Sequence, residues 1–189
     1  MPEALHAWID ESVEVSHEGP GFYILAASVT QPSAENSLRN GLRDLVFPGQ
    51  PRLHWRDENS RRRDTIVTAI STMDLKHLAV IAPAEAKRQE RARRKCLERL
   101  LYELDQTQVV RCWLESRQPA SDRRDHYMVE TLRGSQTISD HLRVAFTTPL
   151  DEPLLWLPDA VAGMTLADQR AGTAHWARRL GDSYRVIRL

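Results

Sequence analysis

Short, almost unbroken apolar runs alternate along this chain with amphipathic stretches of helical period. Residues 5–9 form a β-rich run, Leu-His-Ala-Trp-Ile, that ends in Asp10-Glu11-Ser12. A polar loop closed by Gly19-Pro20-Gly21 leads into residues 22–29, which are almost continuously apolar. A run that short, bounded by Gly and Pro, predicts a buried strand, antiparallel to the first across a loop of about ten residues. Ser33 is placed to cap a helix over residues 34–47 that carries Leu38, Leu42, Leu45 and Val46 on one face. Pro48-Gly49-Gln50-Pro51 stops it. A short segment at 53–56 precedes a second helix over 60–73, with Ile66, Ala69 and Ile70 on one side. Residues 78–82 read as a third strand.

The period is helical again from 84 to 104, with Leu97, Leu100, Leu101 and Leu104 on one stripe and an N-terminal half that is almost wholly charged. A fourth strand follows at 109–115, a helix at 122–132, a fifth strand at 142–147 and a last substantial helix from 154 or 158 to 168. Beyond Gly172 the pattern weakens, and residues 184–189 suit a short edge strand. Strands alternating with helices predict an α/β or mixed three-layer fold around a central sheet. Strand–helix–strand crossovers then set strands 4 and 5 parallel to their neighbours.

Composition narrows the function. The chain has 189 residues, 26 basic and 26 acidic, with 41% hydrophobic and 28% charged positions. Those values suit one globular domain over residues 1–189 and exclude a disordered chain. No apolar run approaches a membrane span, so membrane insertion and secretion are not expected. Cys96 and Cys112 lack metal-ligand spacing, which suits a reducing cytoplasm. The zero net charge hides a split of −5 over residues 1–50 against +6 over residues 51–100. Such polarity fits a charged partner such as nucleic acid, or two regions that face one another.

Three carboxylates stand at predicted element ends: Asp10, Glu115 and Asp159. Ligands of open α/β sheets collect at the carboxyl ends of strands. If the strands of Asp10 and Glu115 are parallel neighbours, and a helix across the sheet delivers Asp159, the three share one place. Carboxylates crowded together are costly to ionise, and a divalent cation removes that cost by using their oxygens. Two such ions can position an attacking water and stabilise the leaving oxygen of a phosphodiester. The chain has no convincing Ser-His-Asp or Cys-His set to offer instead. The plainer readings are a strand-to-turn Asp10, a solvated Glu115 paired with Arg117, and an Asp159 that complements a helix dipole behind Pro158.

The Ile9-Asp10-Glu11-Ser12 motif, the run Gly21-Phe22-Tyr23-Ile24-Leu25-Ala26-Ala27, Leu53-His54, Leu114-Glu115-Ser116 and the stretch Leu157-Pro158-Asp159-Ala160-Val161-Ala162-Gly163 together resemble the bacterial family called domain of unknown function 3800. The likeness spans about residues 7 to 168, with its first and last motifs the most specific. It implies a ribonuclease H-like three-layer α/β fold, with a central mixed five-stranded sheet of order 3-2-1-4-5. Helices would cover both faces, with a helical insertion after strand 2. It further implies metal-binding acids on strand 1, strand 4 and the last helix, which by position are Asp10, Glu115 and Asp159. Val13 replaces the family's usual glycine, Pro158 replaces a small helix former, and Glu11, Asp125 and His54 are the candidates for a fourth ligand.

The resulting expectation is a nuclease dependent on Mg²⁺ or Mn²⁺, acting on DNA or RNA through the three carboxylates and a metal-activated water. His54 would contact a phosphate or stack on a base, and Arg88 and Arg91, in the basic stretch 87–95, would track the backbone. The alternative is a catalytically inactive binding or assembly module on the same fold. A phosphatase with Asp10 as nucleophile is disfavoured by Ser12, where a second aspartate would stand.

Overall fold

The structure is a computed structural model and describes residues 4–15 and 21–189. The Gly19-Pro20 part of the predicted hairpin loop lies outside the described residues. Six strands form one mixed sheet among them: β1 (Leu5–Glu14), β2 (Gly21–Thr30), β3 (Lys76–Ala84), β4 (Val109–Glu115), β5 (Arg143–Thr147) and β6 (Tyr184–Arg188). Their order is β5-β4-β1-β2-β3-β6. The predicted order 3-2-1-4-5 is therefore present, and the sheet gains β6 as a sixth strand beside β3. β1 pairs antiparallel with β2, and β2 with β3, while β1–β4, β4–β5 and β3–β6 are parallel.

Strands β1 to β3 are apolar on both sides because helices cover both sides. Ala7, Ile9, Tyr23, Leu25 and Val80 face α3 (Gln89–Gln106) and α4 (Pro119–Gly134), where Leu97, Leu100, Leu104, Val129 and Leu132 complete one core. Trp8, Ile24, Ala26 and Ile81 alternate onto the other face. There they pack on α1 (Glu35–Asp44), α2 (Ser60–Ser71) and α5 (Trp156–Ala171) through Leu38, Leu42, Ile66, Ile70, Leu157 and Val161.

Several boundaries differ from the sequence reading. β1 does not stop near Asp10 but runs to Glu14, because β2 gives residues 10–14 a full antiparallel ladder. Ser33 does not cap α1; it lies inside a 3₁₀ turn, Pro32–Ala34, that leads into the helix. Asn59 does cap α2, its side chain accepting from the Arg62 amide. The tail contains a short helix not foreseen, α6 (His175–Leu180). α5 ends in Gly172 at φ 61°, a left-handed position that favours glycine. The buried Asp168 carboxylate then accepts from the Trp176 and Ala177 amides, the donors that a helix start leaves open. Among the described residues no helix is long and apolar enough to cross a membrane.

Candidate active site

β4 ends at Glu115 while β1 continues past it, which opens a crevice at the carboxyl end of the parallel β1–β4 pair. The register sets Trp8 beside Trp113 and Ile9 beside Leu114. The next step along both strands brings Asp10 and Glu115 together. They lie on the side of Trp8 and Trp113, whose rings stack at 5.1 Å and 10°. α5 packs across that face of β1 and β2 with Ala160 and Val161 buried, and its first turn presents Asp159. Asp10, Glu115 and Asp159 thus line one pocket of about 260 Å³, together with His54 and Arg56.

The pocket is electrostatically tense. Asp10 is 7% exposed. Burial pushes its carboxyl well above the ordinary carboxylate value, and a hydrogen bond with Glu115 and the charges of Asp159 and Glu115 push the same way. Only the Glu11 amide, which donates to Asp10 Oδ1 at 2.7 Å, opposes them. Burial likewise raises Asp159 to about 6, helped by Glu115 and resisted by the Trp55 amide, His54 and Arg52. The Trp55 amide donates to Asp159 Oδ2 at 2.7 Å. His54 brings Nε2 to 3.9 Å from Asp159 Oδ1, while its Nδ1 lies 2.9 Å from Asp57. Arg52 stands 4.0 Å from Glu115, and Arg117, the partner foreseen for Glu115, pairs instead with Glu90 and Asp125.

The segment that carries His54 is fixed by Trp55. Its indole lies over Gly163 of α5, where a Cβ would stand 2.1 Å from Cδ1. Trp176 meets it edge-on at 5.4 Å, and Arg63 donates to the Trp55 carbonyl from two nitrogens. A glycine at 163 is what lets the ring, and so the amide beside Asp159, come this close.

Two of the candidates for a fourth ligand are held by Arg93: Glu11, which lines the same pocket, and Asp125, which does not. Arg93 is only 3% exposed and donates to Glu11 and to Asp125, each at 2.7 Å. Arg93 lies in the basic stretch 87–95, yet it precedes Leu97, Leu100 and Leu104 at helical spacing and so falls on the core stripe, a signal present in the sequence. Arg88 and Arg91 line a different pocket, with Pro83, Lys95 and Leu189. They reach it because Arg88 and the start of α3 follow β3, which β2 separates from β1. The sequence does not single out Arg52, to which spacing gives no signal.

Oxygen donors from three carboxylates suit a hard divalent cation, and such an ion relieves both the burial that raises Asp10 and Asp159 and the repulsion that adds to it. Among the described residues no group of three or more His, Cys, Asp or Glu side chains stands in an ion-holding geometry. The carboxylates share the pocket without forming a ready cage.

No protein-family model matches the chain, and no curated protein does. Solved structures match in fold. The ribonuclease HII of Archaeoglobus fulgidus, determined in complex with PCNA, aligns over 95% of this chain and 81% of its own, with TM-score 0.57 and 16% identity. Ribonuclease H2 from Pyrococcus horikoshii aligns over 96% of this chain and 81% of its own, with TM-score 0.51 and 12% identity. A mutant of Bst ribonuclease HIII aligns over 90% of this chain and 56% of its own, with TM-score 0.52 and 11% identity. The chain has the ribonuclease H-like fold.

Proposed function

We propose that the chain is a nuclease, hydrolysing phosphodiester bonds of DNA or RNA with the help of Mg²⁺ or Mn²⁺. Asp10, Glu115 and Asp159 would be its catalytic, ion-holding carboxylates. One observation carries the reading: acids from β1, β4 and α5, far apart in the chain, line one pocket in which burial, with their mutual repulsion added, holds Asp10 and Asp159 above the ordinary carboxylate value. The ribonuclease H-like fold supports it. The motifs at 9–12 and 157–163 also carry, as part of this reading, membership of the bacterial family called domain of unknown function 3800. We read residues 1–189 as one domain working in a reducing cytoplasm, where Cys96 and Cys112, both free and buried, stay thiols.

A bound divalent cation would supply positive charge to the scissile phosphate and acidify water at the site. The chain's own residues do the rest. Asp10 and Glu115 present oxygens side by side from two strands whose stacked tryptophans fix their spacing. The Trp55 amide holds one oxygen of Asp159 and leaves the other toward His54. Asp57 accepts from His54 Nδ1 and so orients the ring, and in its imidazolium form His54 can donate from Nε2 to a phosphate oxygen. Arg56, exposed on the rim, draws in the polyanion.

The test is cleavage of labelled DNA, RNA and hybrid duplexes with Mg²⁺, Mn²⁺ or EDTA, for the parent and Asp10→Asn. Metal-dependent cleavage that Asp10→Asn abolishes is expected. Cleavage that survives the substitution unchanged overturns the assignment. A parent that neither cleaves nor gains thermal stability from either ion would instead be the non-catalytic module.

A further inference from the structure

The carboxylate pocket is not the roomiest of the protein's clefts. A groove between α3 and α4 encloses about 670 Å³, against about 260 Å³ around the acids. Its floor is apolar, with Met128 and Leu132 buried. Tyr127 lines it and is 77% exposed, so the face of its ring is open to a partner. Arg94 and Arg123 line it as well, both exposed and without a hydrogen bond or ion pair among the described residues. Two of the groove's acids are already neutralised, Glu90 by Arg117 and Asp125 by Arg93 and Arg117. Glu98 is the remaining one, so the unspent charge is positive.

The groove also begins beside the acids. α4 starts at Pro119, shortly after Glu115 ends β4. Arg117 lines the carboxylate pocket while bonding Glu90 and Asp125, which line the groove.

We infer that this groove is a second binding site, for a single-stranded nucleic-acid segment that flanks the part held at the carboxylates. The inference rests on the nucleic-acid reading above and adds a substrate class to it. A paired base shows only its edges, whereas an unpaired base offers a face, and an exposed tyrosine above an apolar floor is a surface for a face. The guanidiniums of Arg94 and Arg123 on the rim match the phosphates between such bases. The ring supplies stacking that is tolerant of sequence, and the cations supply affinity that depends on salt.

The test is fluorescence anisotropy in EDTA, so that nothing is cut, with a labelled hybrid duplex that is either blunt or extended by a single-stranded tail of about ten nucleotides. The readout is the ratio of the two affinities, and circular dichroism melts confirm that each variant is folded. The parent prefers the tailed duplex by about tenfold or more. Tyr127→Ala cuts that preference about fivefold or more, and Tyr127→Phe, which keeps the ring, retains it. Arg94→Glu with Arg123→Glu removes the preference and lowers the salt slope for the tailed duplex by about two charges. Equal affinity of the parent for blunt and tailed duplexes overturns the inference. So does an unchanged preference in Tyr127→Ala, as expected if the groove takes an acidic peptide. Asp10→Asn keeps the tail preference, so cleavage that ignores Asp10 refutes the nuclease reading and leaves the groove standing.

Discussion

Replacing Gly163 by alanine separates two physical effects of opposite sign. In an ordinary helix interior, Gly→Ala stabilises by about 1 kcal/mol, since alanine gives up less backbone entropy. At this position the new Cβ would stand 2.1, 2.5 and 2.7 Å from Cδ1, Cγ and Nε1 of Trp55. Ordinary carbon contacts lie near 3.5–4.0 Å, so the indole must retreat by about 1 Å or more. It has little room to do so: Trp55 is 5% exposed, Trp176 lies edge-on at 5.4 Å, and Arg63 grips the carbonyl. Overpacking of this kind costs about 1–3 kcal/mol. Drawing the amide off Asp159, now 2.7 Å away, costs about 1.5–3 kcal/mol more as a lost hydrogen bond to a charged group. Less the helix gain, the net loss is about 1.5–5 kcal/mol, which lowers Tm by roughly 3–20 °C in a chain of this size. Urea unfolding and calorimetry of the parent and Gly163→Ala measure it. Trp55→Leu in the same chain should recover part of the loss, because it vacates the contested space. A Gly163→Ala variant as stable as the parent, or more so, would refute the claim that Gly163 seats Trp55.

Two further predictions concern buried charge. His77 sits in β3 with Nδ1 2.9 Å from Ser28 Oγ, and burial pushes its pKa down to about 4. Above pH 6.5 the ring is neutral folded and unfolded; below it only the unfolded chain takes the proton, so stability falls from 6.5 to 4 by about 3 kcal/mol. The difference in unfolding free energy between the parent and His77→Asn, measured from pH 7.5 to 4, should shift by about that amount, and a flat difference contradicts the burial argument. Arg93→Met should cost about 3–5 kcal/mol in urea, because Glu11 and Asp125 lose the cation between them. Adding Asp125→Asn should return part of it, and a cost below about 1 kcal/mol would show that water reaches the pair.

Much of the layout was legible because it is local. Val109–Glu115 is bounded as its apolar run is, and the 97–104 stripe predicts the face of α3 that is buried. Boundaries failed where a neighbour overrode the local pattern: residues 10–14, polar but for Val13, stay in strand because β2 pairs with them, and α6 forms where the Asp168 side chain, near the end of α5, accepts from its first amides.

By itself, the sequence determined the six strands, the helices α1 to α5, the mixed sheet around which they order, and the three acids worth following, since periodicity and residue type act over a few residues. Which acids meet was decided by packing. Glu11 is adjacent to Asp10 and also a carboxylate, yet the pleat turns it to the opposite face, where Arg93 holds it. Asp159 meets a backbone amide 104 residues away because a glycine in α5 admits an indole. Contacts of that range depend on register and close approach between elements, and neither is written in any one segment.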